Sequence, residues 1–117
     1  MRFAWVLLTW LALRCTAAAI DNVIVLVRHA EKVDDSRDAE LSETGRARAG
    51  VLAGLLKDMK IDKIYSSDYN RTRDTAGPLA ELLGLELELY DLGDLEALAT
   101  KLRAAEGRIL VVGHSNT

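Results

Sequence analysis

Cysteine, proline, histidine and aromatic side chains are all scarce in this 117-residue chain. Cys15 is the only cysteine, and it falls in a segment expected to be removed. The mature chain would then hold neither a disulfide nor a thiolate metal site. Aromatic residues make up 5% of the chain, too few for a base-stacking surface. No basic stretch occurs, and 15 Lys and Arg face 18 Asp and Glu. An acidic domain of this kind is a poor nucleic-acid binder. The two histidines, His29 and His114, show no HxH or HxxxH spacing, which weighs against a metal hydrolase built on both. No internal repeat, low-complexity tract or interdomain linker is visible, and the length suits one domain.

The amino terminus reads as a separate unit. Arg2 is a short basic start, Phe3 to Leu13 is an apolar run of eleven residues, and Thr16 to Ala19 offers small residues for cleavage. The run is too short to span a bilayer. This pattern predicts a signal peptide over 1–19, cut after Ala19, and a secreted or periplasmic domain over 20–117. Arg14 interrupts the run and argues against a retained span. It also precedes Cys15, where a lipoprotein signal needs a small residue, so no stable membrane anchor is expected.

The remainder alternates two periodicities. Val23 to Val27 is a β-branched run that predicts a strand buried on both faces. Glu31 to Glu40 predicts a solvated loop. Ser42 is placed to cap a helix whose buried stripe is Ala47, Val51 and Leu55, widened by Leu52 and Leu56. Ile61 to Ser66 predicts a second strand, and Asp68 a cap for the next helix. Pro78 should kink or stop that helix near Ala76, and Gly84 ends it after a second helical stretch. Leu85 to Tyr90 alternates leucine with glutamate, as an edge strand does. Asp94 caps a helix with Leu95, Leu98 and Leu102 on one face, Gly107 ends it, and Ile109 to Val112 is the last strand. The order β-α-β-α-β-α-β predicts an α/β domain with a mostly parallel sheet.

In such sheets ligands bind where the carboxyl ends of the strands open. Arg28 and His29 follow the first strand, Ser67 and then Arg71 the second, Asp91 the third and His114 the fourth. Singly, each has an ordinary explanation: Ser67 a cap, Asp91 a turn residue, Arg71 and Arg73 a solvated helix face. Together they suit a phosphoryl group. Arginine forks give charge-assisted bonds to its oxygens, and a neutral imidazole is a nucleophile near pH 7. Asp91 or Glu31 could protonate a departing alkoxide.

Val27-Arg28-His29-Ala30-Glu31 resembles the signature of the histidine phosphatase superfamily, in its phosphoglycerate-mutase-like branch. Three later segments match in order: Leu41 to Gly45, Ser66 to Ala76, and Val112 to Ser115. The resemblance implies a three-layer sandwich around a mostly parallel sheet, incomplete at its carboxyl end because the family domain continues past the second histidine. It implies that His29 is the phosphorylated residue, that Arg28 and Arg71 bind phosphate, and that His114 is the second histidine of the pocket. The family's proton donor is usually an acid after the third strand, for which Asp91 is nearest, with Asp94 and Glu31 as alternatives. The family needs no metal or other cofactor. The short link from Tyr90 to Asp94 favours a small, open-site phosphatase. The expected activity is removal of a phosphoryl group from a small phosphomonoester through phosphohistidine. The alternatives are a phosphomutase or a non-catalytic phosphate- or phosphosugar-binding module.

Overall fold

The computed structural model describes residues 22–117, so the expected signal peptide lies outside the described residues. Seven elements follow one another: β1 Val23–Arg28, α1 Glu43–Leu56, β2 Lys63–Ser67, α2 Asn70–Leu83, β3 Leu87–Tyr90, α3 Leu95–Ala104 and β4 Arg108–Gly113. The strands form one parallel sheet in the order β1-β4-β2-β3. Between successive strands the chain returns through a helix, as parallel pairing requires.

Alternation along β4 divides the core. Leu110 and Val112 face one side, where they meet Ala53 and Leu56 of α1 and Ala76, Leu79 and Ala80 of α2. Ile109 and Val111 face the other, against Tyr65, Tyr90 and Leu98 of α3. The result is the three-layer α/β sandwich that the element order and the resemblance lead one to expect.

Several local expectations are corrected. β1 is an end strand among the described residues and is not buried on both faces. Val25 and Val27 pack toward α1 and α2, whereas Ile24 and Leu26 are 50% and 58% exposed. Helix α3 lies over β2 and β4, so it only borders β1, in a shallow apolar groove with Ile24 and Leu26. A β-branched run looks the same in sequence whether one face or two are covered.

In α1 the buried stripe is Gly45, Ala49, Ala53 and Leu56, while Val51 and Leu55 are exposed. Small residues are selected there because the helix sits close to backbone: a Cβ on Gly45 would lie 2.3 Å from the Glu31 carbonyl oxygen. Ser42 does cap α1, its hydroxyl accepting from Gly45 N at 3.1 Å.

Pro78 neither stops nor splits α2, which runs through it. Buried residues before it (Thr72, Thr75, Ala76) and after it (Leu79, Ala80) share one face, and their burial outweighs the single backbone bond that proline removes. Asp68 does not cap α2; the cap residue is Tyr69, without a side-chain bond. The carboxylate at this helix start comes instead from Asp38, whose Oδ1 accepts from Asn70 N at 2.8 Å. Segment 31–40 is therefore not simply a solvated loop: Ala39 is buried and Lys32 bridges to Leu41. Finally, α3 is capped by Asp94 as expected but stops at Ala104, ahead of Gly107, which takes a positive φ of 94° at the entry to β4.

Candidate active site

Strand order determines which residues meet. β4 inserts between β1 and β2, with Arg28 level with Gly113 and Ser66 level with Val112. His29 and His114, just past β1 and β4, and Ser67, the last residue of β2, are therefore neighbours. The imidazoles of His29 and His114 have centroids 5.3 Å apart, edge to face. His29 N donates to Gly113 O at 2.9 Å, which holds the two strand ends together. A side chain at Gly113 would place a Cβ 2.7 Å from the Tyr90 and Thr117 hydroxyls, so both side chains pack directly on the strand end that presents His114.

The first turn of α2 adds Arg71. Its Nη2 lies 3.5 Å from His114 Nδ1, and its Nη1 donates to Arg37 O at 3.1 Å. Its guanidinium carbon stands 4.5 Å from the ring centroid of Tyr69, whose ring also meets His114 edge to face. Arg71 Nε is buried without a hydrogen-bond partner. A guanidinium held this way keeps its charge in place beside His114. Arg28, His29, Glu31 and Lys32 line an open cleft of about 390 Å³.

His29 Nδ1 lies 2.8 Å from Ala30 O, a carbonyl that can only accept. That bond assigns the proton to Nδ1 and leaves a lone pair on Nε2. Burial lowers the His29 pKa, the Ala30 bond opposes this, and Arg71, Arg28 and Lys32 lower it further. Burial, followed by Arg71, His29, Arg28 and Lys32, lowers His114 to about 4. Both rings are thus held neutral near pH 7.

The acids separate into different places. Glu31 lines the His29 cleft and pairs with Arg48 at 2.6 Å. Asp91 is exposed and accepts from Gly93 N at 2.8 Å. It lines a second cleft of about 560 Å³ with Asp68, Tyr90 and Tyr69, the tyrosine whose ring meets His114. Asp94 is committed to its cap. Arg73 pairs with Asp68 and Asn70 and takes no part in the cleft.

Reasoning from sequence missed Tyr69, Thr72 and Thr75. Thr75 accepts from Ala30 N at 2.9 Å and donates to Arg71 O at 2.6 Å, joining the two sides of the site. Buried hydroxyls on an otherwise apolar helix face were the available signal.

Residues 24–92 match the family profile of the histidine phosphatase superfamily, branch 1. The chain belongs to that superfamily. Among curated relatives of this histidine phosphatase-superfamily chain, the phosphoglycerate mutase-like protein 4 of Arabidopsis thaliana is 36% identical over 99 residues, covering 68% of this chain and 43% of the relative. Phosphoserine phosphatase 1 of Hydrogenobacter thermophilus is 39% identical over 71 residues, covering 55% and 34%. The chain thus spans less than half the length of these relatives. The solved SixA structure from Agrobacterium tumefaciens superposes with a TM-score of 0.68 at 24% identity, covering 83% of this chain and 71% of SixA, which establishes the shared fold.

Proposed function

We propose that this chain belongs to a phosphohydrolase that moves the phosphoryl group of a small phosphomonoester to His29 and then to water. The observation that carries this reading is the state of His29. Its Nδ1 proton is tied to Ala30 O, so the Nε2 lone pair is left as the nucleophile, in a cleft shared with Arg28 and close to Arg71 and His114. In the first step an Nε2–P bond forms and the ester P–O bond breaks. The leaving oxygen takes a proton from Asp91 or Glu31. In the second step water attacks phosphorus and gives a proton back to that carboxylate, the N–P bond breaks, and inorganic phosphate leaves. Arg28 and Arg71 offset the charge on the phosphoryl oxygens in both steps. The relatedness to a phosphoserine phosphatase supports hydrolysis. So does the tight Asp91–Asp94 turn, in which Asp94 N donates to Asp91 O at 3.1 Å, leaving little chain to enclose a product for return as a mutase would. We further propose export to a secreted or periplasmic location, on the pattern of residues 1–19.

The test uses an aryl phosphate and rapid quenching. The protein should carry an acid-labile, alkali-stable phosphoryl label during turnover, and His29→Ala should lose both label and turnover. Arg28→Ala and Arg71→Ala should each slow the reaction roughly a hundred- to thousand-fold. Asp91→Asn and Glu31→Gln, compared on alkyl and aryl phosphates, identify the donor: only the true one hurts alkyl substrates selectively. Full turnover by folded His29→Ala would reject the mechanism.

A further inference from the structure

Two hydroxyls buried beneath the site, Ser67 and Thr72, are both 0% exposed and form a chain ending on His114. Thr72 Oγ1 lies 2.9 Å from Ser67 O and 3.1 Å from Tyr69 O. Both are carbonyls and can only accept, so the one Thr72 hydroxyl proton is given to them. Thr72 Oγ1 therefore accepts from Ser67 Oγ, 2.8 Å away. With its only proton spent there, Ser67 Oγ is the acceptor toward His114 Nε2, also at 2.8 Å. His114 must then carry its proton on Nε2 and a lone pair on Nδ1. The other side of the ring agrees: Nδ1 faces Arg71 Nη2, a group that can only donate.

From this one-way order of protons we infer that Ser67 is a positioning residue. It fixes His114 as the Nε2–H tautomer and so leaves the Nδ1 lone pair facing Arg71. The relay itself does not depend on catalysis; its effect on rate rests on the phosphatase reading above.

Proton–nitrogen correlation spectra of the isotope-labelled full chain separate the two tautomers, and His29→Ala assigns the two rings. In the unaltered protein His114 should be Nε2–H. Ser67→Ala in an Arg71→Ala background, where that donor no longer faces Nδ1, should give a mixture of tautomers. Thr72→Val removes the acceptor of Ser67, frees its proton to point at Nε2, and should shift His114 toward Nδ1–H. Thr72→Ser keeps the hydroxyl and should restore the original state. If Ser67→Ala does not fold, the Thr72→Val and Thr72→Ser pair decides alone. An unchanged Nε2–H ring in the folded Ser67→Ala, Arg71→Ala pair or in folded Thr72→Val overturns the relay. In turnover of an aryl phosphate, Ser67→Ala should lower kcat about tenfold, the worth of one hydrogen bond, with a smaller change in KM. Shifted tautomers with no phosphatase activity in any form would uphold the relay and sink the phosphatase reading.

Discussion

His114 is neutral because of where it sits, and this makes the fold sensitive to acid. Its pKa is about 4 in the fold against 6.5 ordinarily, and that of His29 is also lowered. Between pH 6.5 and 4 the unfolded chain therefore binds more protons than the folded one. Stability falls as pH drops through that window, is fully present above it, and changes little more from His114 below it. Thermal unfolding followed from pH 7 to pH 4 should show a falling midpoint, and His114→Gln should flatten the slope. Equal slopes in the two proteins would show that His114 is not the group responsible. At this scale the sequence was legible for Arg28, His29, Arg71 and His114, which stand where apolar runs give way to polar residues. It was silent on Tyr69, Thr72 and Thr75, whose roles consist of contacts with distant residues.

Among the elements, α1 shows how a helix can be foreseen and yet turned the wrong way. Its cap and extent follow from Ser42 and the residues after it, but Val51 and Leu55 of the expected stripe face out, while Leu56 is buried. The helix packs closely through small residues, and hydrophobicity alone does not register closeness. Its glycines therefore divide. Gly45→Ala drives a methyl into the Glu31 backbone and should destabilise by about 1–3 kcal/mol. Gly50→Ala meets nothing within 4 Å and should stabilise by roughly 0.5–1 kcal/mol through helix propensity. Chemical denaturation of both variants checks the contrast; the same sign for both would mean that α1 is not seated against Glu31. In α2, Pro78 was a false stop for a related reason, since the buried face on either side of it holds the helix together.

For the whole molecule, the described residues form a sheet with apolar side chains exposed on both end strands, Leu89 on β3 and Ile24 and Leu26 on β1 beside the α3 groove. Outside the described residues, the charged start, apolar run and small residues of 1–19 lead to a prediction about location. Expressed in a bacterial host, the protein should leave the cytoplasm and begin at or near Ile20. Amino-terminal sequencing of fractionated cells reads this directly, and a cytoplasmic product beginning at Met1 would refute export.

Runs of a few residues, caps and the polar residues that end them were enough for the alternation of strands and helices, the parallel sheet, and the placing of Arg28, His29, Arg71 and His114 at strand or helix ends, because those features are local. Long-range packing placed β4 between β1 and β2, which brings His29, His114 and Ser67 side by side. Only it decided that Asp38 meets the start of α2, that Asp91 opens onto a different cleft, and which nitrogen of His114 holds a proton. Each of these depends on two groups far apart in the chain, and the distance between such groups is set by packing.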